Sequence, residues 1–98
     1  MQEPGDGGGI ARSLGNYALF MEVQRGDFDA AQRLYEQAVK ADPKHARNLG
    51  NYADFRWKQR GDLDAAELLY KQAIDANPNH ALNLENCATL MKLRGDLK

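Results

Sequence analysis

The feature that most constrains this chain is that it repeats itself. Laid without a gap over Leu49–Asn83, the stretch Leu14–Asn48 is identical at 22 of 35 positions. A third copy begins at Leu84-Glu85-Asn86 and reaches Arg94-Gly95-Asp96 with one residue fewer between its Asn and its Gly. A fixed period of this length marks an architecture in which each unit buries its apolar face on its neighbours rather than in one central core. Such arrays work by presenting surface, which argues for binding rather than chemistry.

Each unit is written as two helices. Leu14, Tyr17, Ala18, Phe20 and Met21 recur at helical spacing, which predicts a helix from about Ile10 to Arg25. Gly15 inside it costs helix propensity, and a close approach by a neighbouring helix is the physical reason to accept that cost. Arg25-Gly26-Asp27 then turns the chain, with Gly26 suited to a left-handed C′ position and Asp27 to an N-cap. A second helix follows to about Ala41, with Phe28, Ala31, Leu34, Tyr35, Ala38 and Val39 on its buried side. Pro43 cannot continue that helix and is expected in the first turn of the next. The cycle restarts over Lys44–Arg60, with Leu49, Tyr52, Ala53 and Trp57. Leu63, Ala66, Leu69, Tyr70, Ala73 and Ile74 line its second helix, and a last helix spans about Asn79–Leu93. Arg-Gly-Asp, present at 25–27, 60–62 and 94–96, is expected to be the inter-helix turn of every copy rather than an adhesion motif. Phe20, Phe55, Tyr35, Tyr70 and Trp57 are expected in the core, and Cys87, where earlier copies have Tyr17 and Tyr52, as a buried small hydrophobe.

The domain organisation expected is a flexible Gly-rich leader, 1–9, and one array over 10–98 with repeats at about 10–42, 43–77 and a partial 78–98. The 43 % apolar and 28 % charged content is that of an ordinary folded chain. A net charge of −1 gives no reason to expect nucleic acid, which is bound through clustered Lys and Arg. No apolar run approaches the ~18 residues that span a bilayer. The N-terminus lacks the basic start and apolar stretch of a signal peptide, and Cys87, the one cysteine, cannot form an internal disulfide. A reducing, cytoplasmic setting is the expectation.

The block Gly61-Asp62-Leu63-Asp64-Ala65-Ala66, Tyr70, Ala73 and Pro78, with Gly26, Asp27, Ala31, Tyr35, Ala38 and Pro43 in the first copy, resembles the tetratricopeptide repeat, here in a 35-residue variant. Asn48-Leu49-Gly50-Asn51 is similar to the family's first helix. The period departs from the family's commonest 34, and Ala46 stands where a Trp usually opens helix A. The resemblance implies an all-α, right-handed solenoid of five helices in two and a half hairpins, with a concave face built from the first helix (helix A) of each pair. It implies protein–protein interaction, capture of a partner's peptide or helix in that groove, and no enzymatic activity. Tyr17-Ala18-Leu19-Phe20-Met21-Glu22 and Leu34-Tyr35-Glu36-Gln37-Ala38 also echo the half-a-tetratricopeptide repeat, which would imply an RNA-processing scaffold that still binds proteins.

Candidate site residues follow from columns on helix A. Asn16, Asn51 and Asn86 share one position, with Arg12 and Arg47 one helical turn earlier on the same face. Asn amides can hold an extended backbone and Arg can clamp a carboxylate, although copy three has Leu82 in place of Arg. The same Asn could instead tie helix A to its neighbour, and Asn48 and Asn83 form a second column that leans that way. His45 and His80 recur at helix starts, where no Cys or acid column completes a metal site. No nucleophile–base arrangement or phosphate loop occurs, so no catalytic residue, cofactor or metal is expected. The second functional class is self-assembly. The third helix A lacks a partner, so Leu84, Leu90, Met91 and Leu93 are expected to lie exposed and to associate with another copy.

Overall fold

A computed structural model describes residues 7–96, which form five α-helices: α1 (Gly7–Val23), α2 (Phe28–Ala41), α3 (Ala46–Arg60), α4 (Leu63–Ala76) and α5 (Ala81–Asp96). Residues 1–6 of the expected leader lie outside the described residues, but Gly7–Gly9 are already helical, three positions earlier than their composition suggests. The helices stack as an all-α repeat solenoid, 53 × 31 × 17 Å. The A helices α1, α3 and α5 lie side by side, and each later A helix also packs on the preceding B helix, while the backbones of α2 and α4 stay further apart.

Two equivalent Gly-Asp turns build the hairpins. Gly26 and Gly61 have φ of 64° and 70°, a backbone only glycine adopts without strain. The N–H groups of Asp27 and Asp62 reach back to the Met21 and Arg56 carbonyls at 2.9 Å. Their carboxylates cap the next helix, accepting from Ala30 N at 3.1 Å and Ala65 N at 3.0 Å. The third Arg-Gly-Asp departs from this expectation. Gly95 and Asp96 continue α5, because a glycine without a capped, packed helix behind it has no reason to leave the right-handed conformation, and no such helix exists among the described residues.

The prolines also sit differently from expectation. His45 N–H donates to the Asp42 carbonyl and His80 N–H to that of Asn77, both at 3.3 Å. Pro43 and Pro78 are thus the second residue of a β-turn, where their fixed φ is favoured, and the helices begin only at Ala46 and Ala81. His45 and His80 cap those helices, Nδ1 accepting from Asn48 N and Asn83 N at 3.3 Å.

The core comes in two connected parts. Ala18, Ala31, Tyr35, Tyr52 and Phe55 form the first, at the junction of α1–α2 with α3. Tyr35 and Tyr52 stack with centroids 5.4 Å apart, and Phe55 lies 5.3 Å from Tyr35 and edge-on to Phe28 at 6.2 Å. Ala53, Ala66, Tyr70 and Leu90 form the second, backed by Trp57, Leu63 and Cys87; Leu69 packs against both. Two expectations are overturned here. Phe20, expected in the core, is 43 % exposed, because the B helix that covers its counterpart Phe55 has no equivalent before α1 among the described residues. Leu90, expected on an exposed self-association patch, is fully buried, because it enters the α3–α4 hairpin at the place Phe55 takes in the previous junction. Leu84, Met91 and Leu93 remain exposed.

Candidate peptide-binding face

The A helices are brought together by one device used twice. Asn48 is fully buried, and its side-chain N–H donates to the Ala11 carbonyl at 2.8 Å. A β-carbon on Gly15 would stand 1.9 Å from Asn48 Oδ1, so the glycine is the space that the amide fills. One repeat later, Asn83 donates to the Ala46 carbonyl at 3.0 Å, and its Oδ1 lies 1.8 Å from where a Gly50 β-carbon would be. This is the close approach that Gly15 signals in the sequence. It also assigns the Asn48 and Asn83 column to the array itself: a buried amide that is hydrogen-bonded holds two helices in one register.

The outer column divides. Arg47 donates its guanidinium to the Asn16 side-chain oxygen, both residues being exposed. Asn86 donates to both carboxylate oxygens of Asp54 at 3.3 Å. Asp54 also accepts from the Tyr70 hydroxyl, which accepts in turn from the Trp57 indole N–H at 3.0 Å. Asn51 is half-buried and Arg12 exposed, and neither makes a side-chain hydrogen bond among the described residues. Arg12, Asn16, Arg47, Asn51, Asp54 and Asn86 therefore form one polar row across α1, α3 and α5, partly cross-linked and partly open. Beside it lies a shallow depression lined by Asn16, Leu19, Phe20, Val23 and Gln24.

Several residues that hold this face in place went unread in the sequence. The Tyr35 hydroxyl donates to Glu22 at 2.7 Å, and that of Tyr52 to Glu36 at 3.2 Å. Burial first, then the bond to Glu22, holds the Tyr35 phenol well above the usual tyrosine range; Tyr70 is raised in the same way by burial and Asp54. Arg60 reaches back to Asp29 at 2.8 Å and to Gln32 at 2.9 Å, while Arg94 reaches Asp64 at 2.6 Å. Hydrogen bonding to Arg60 holds the Asp29 carboxyl below its ordinary range. The signal for these ion pairs was present, since Arg precedes the Gly-Asp of every repeat, but the glycine and the cap explained the motif without it. Asp54 carried no periodic signal, because the first copy has Leu19 at its position.

No group of His, Cys, Asp and Glu suited to a metal occurs among the described residues. None of their helices is long and apolar enough to cross a membrane.

The sequence model of the tetratricopeptide repeat matches residues 22–81. No curated protein matches the chain. Tetratricopeptide repeats are non-enzymatic modules that in general mediate protein–protein interaction. With more than half of its length matched and five helices stacked in that manner, the chain belongs to the tetratricopeptide repeat family.

Proposed function

We propose that the A-helix face of α1, α3 and α5 binds a peptide or helix of another protein, with Arg12, Asn16, Arg47, Asn51 and Asn86 as its polar contacts. The observation that carries this reading is the row itself. Donors and acceptors on three different helices are held in register by the buried Asn48 and Asn83, and mutual hydrogen bonds already orient Asn16, Arg47 and Asn86. A surface ordered beforehand loses little side-chain entropy when it binds, which is where preformed grooves gain affinity. Asn51 and Arg12 have hydrogen-bonding capacity left for a main chain or a carboxylate.

The test is a displayed library of extended peptides, half ending in a free carboxylate, selected on the native chain and then titrated against Arg47→Ala and Asn51→Ala. Binders whose affinity falls about tenfold in either variant, roughly one charge-assisted hydrogen bond, and whose amide chemical-shift changes fall on α1, α3 and α5, support the face. Binders that shift only α2 and α4, or ignore both substitutions, overturn it.

A further inference from the structure

The face of α1 that points away from the array repeats, at most of its positions, a face that α3 uses inside it. Tyr52 and Phe55 of α3 are 9 % and 0 % exposed because they pack on Tyr35 and Phe28 of α2; Tyr17 and Phe20, at the same register in α1, are 54 % and 43 % exposed. Arg47 of α3 donates to Asn16, whereas Arg12, its counterpart, has no partner among the described residues. Arg60 pairs with Asp29, whereas Arg25, its counterpart, forms no ion pair among the described residues. So α1 carries these inter-repeat contact residues, with Ser13 in the place of the locking Asn48, without the surface they match among the described residues.

That surface exists at the other end of the chain. Asn51, Leu63, Asp64 and Tyr70 of α3–α4 stand where Asn16, Phe28, Asp29 and Tyr35 stand in the first repeat. It is covered by α5, and the cover is uneven. Arg94 reaches Asp64, Asn86 reaches Asp54, and Leu90 fills the core. But Leu82 replaces the arginine that would satisfy Asn51, and Cys87 replaces the tyrosine that would stack on Tyr70. Against this, α5 supplies Asn83 to the Gly50 gap, where α1 would bring only Ser13.

We propose that α1 of a second copy of this chain docks on α3–α4 in place of α5, joining copies head to tail. Arg12 then donates to Asn51, Tyr17 and Phe20 cover Tyr70 and Leu63, Asn16 meets Asp54 in place of Asn86, and Arg25 pairs with Asp64. The contact is heterologous, so each docked copy leaves a free end for the next and assembly can pass the dimer. A second copy is the occupant that matches both ends at once, because the two surfaces are in the same 35-residue register. The tethered α5 competes at an effective concentration on the order of millimolar, which confines the exchange to concentrated solution. The inference does not rest on the peptide reading, although the docked helix engages Arg12, Asn16 and Asn51 of the same face, so a bound peptide and a second copy would compete for them.

The experiment is sedimentation of the 98-residue chain from about 10 µM to about 1 mM, the range set by that tether, with the accessibility of the Cys87 thiol to a maleimide read in parallel. The native chain is expected to gain mass past the dimer as concentration rises, with Cys87 reacting severalfold faster as α5 is released. Phe20→Glu, on an exposed position, should retain the helical far-UV signal and weaken association at least tenfold; Arg12→Ala should weaken it severalfold. Leu82→Arg, which supplies Asn51 from within the chain, should hold α5 in place and also weaken association. A constant monomer mass to about 1 mM overturns the proposal. So does association that Phe20→Glu and Leu82→Arg leave intact, or association during which Cys87 becomes no more reactive, since either would place another occupant or another face in the contact.

Discussion

The junction of α2 with α3 and the junction of α4 with α5 share one plan but differ in filling. Both are locked by a buried Asn against a Gly, and both are pinned at the far end by an Arg–Asp pair. In the first junction, Phe28, Tyr35, Tyr52 and Phe55 form a continuous aromatic cluster; in the second, Leu63, Tyr70, Cys87 and Leu90 occupy the same places. The polar plan sets where the helices cross, and the apolar filling sets how firmly they hold. Apolar stabilisation scales with the surface removed from water, and aromatic pairs add to it. On its apolar filling the second junction is expected to be the weaker one, with α5 the helix that opens first.

The sharpest way to break this comparison is a pair of identical substitutions 35 residues apart. Phe55→Ala removes a fully buried ring and should cost about 3–5 kcal/mol in denaturant unfolding. Phe20→Ala, the same residue at the same register but 43 % exposed, should cost only about 1 kcal/mol. Equal costs would mean that register, and not the covering helix, decides the contribution. Next, Gly15→Ala and Gly50→Ala should each destabilise by about 1–3 kcal/mol through overpacking, although propensity alone would have alanine stabilise the helix by about 1 kcal/mol. Adding Asn48→Ala to Gly15→Ala should return part of that loss, and an additive double mutant would remove the lock from the account.

Alkaline pH separates the junctions from their surroundings. The Tyr35 and Tyr70 phenols are held above their usual range in the folded state, so folding favours the protonated form. Their contribution is complete below about pH 10, where unfolded tyrosine ionises, and is lost as pH rises beyond it. Helical signal and tyrosinate absorbance should change together there; tyrosinate appearing in a still-folded chain at its ordinary pH would contradict the burial. The smallest effect is expected for Arg60→Ala and Arg94→Ala, exposed pairs whose loss should lower the unfolding midpoint slightly at low salt and vanish at high salt. Because Asp29 is held below its ordinary range, the Arg60 contribution is present at neutral pH and disappears as pH falls below about 4.

The same contrast marks what could be read from residues alone. Gly26-Asp27 and Gly61-Asp62 announced their turns because a left-handed glycine and a capping carboxylate are local requirements, met within a few residues. The helix-B stripe Ala31, Tyr35, Ala38 was legible for a related reason, since helical period alone places it on one side. Arg94-Gly95-Asp96 carries the same letters and yet stays helical, because a turn is held open by the helix packed behind it. The candidate site was legible as columns, but whether a column faces a neighbour or solvent is a matter of partners. Asn48 fills a gap on α1, and Asn16 meets an arginine 31 residues away.

By itself, then, the sequence determined the repeat, its two-helix grammar, the turns at Gly26-Asp27 and Gly61-Asp62 and the family to which the chain belongs, since period, capping and amphipathic spacing are encoded in neighbours along the chain. Only the tertiary structure decided that Leu90 is buried while Phe20 is not, that the inner Asn column is mortar, and that Arg12 and Asn51 are left with capacity to spare. Identical residues at identical register meet different fates because burial belongs to the pair of surfaces in contact, and among the described residues α1 has only one such surface covered.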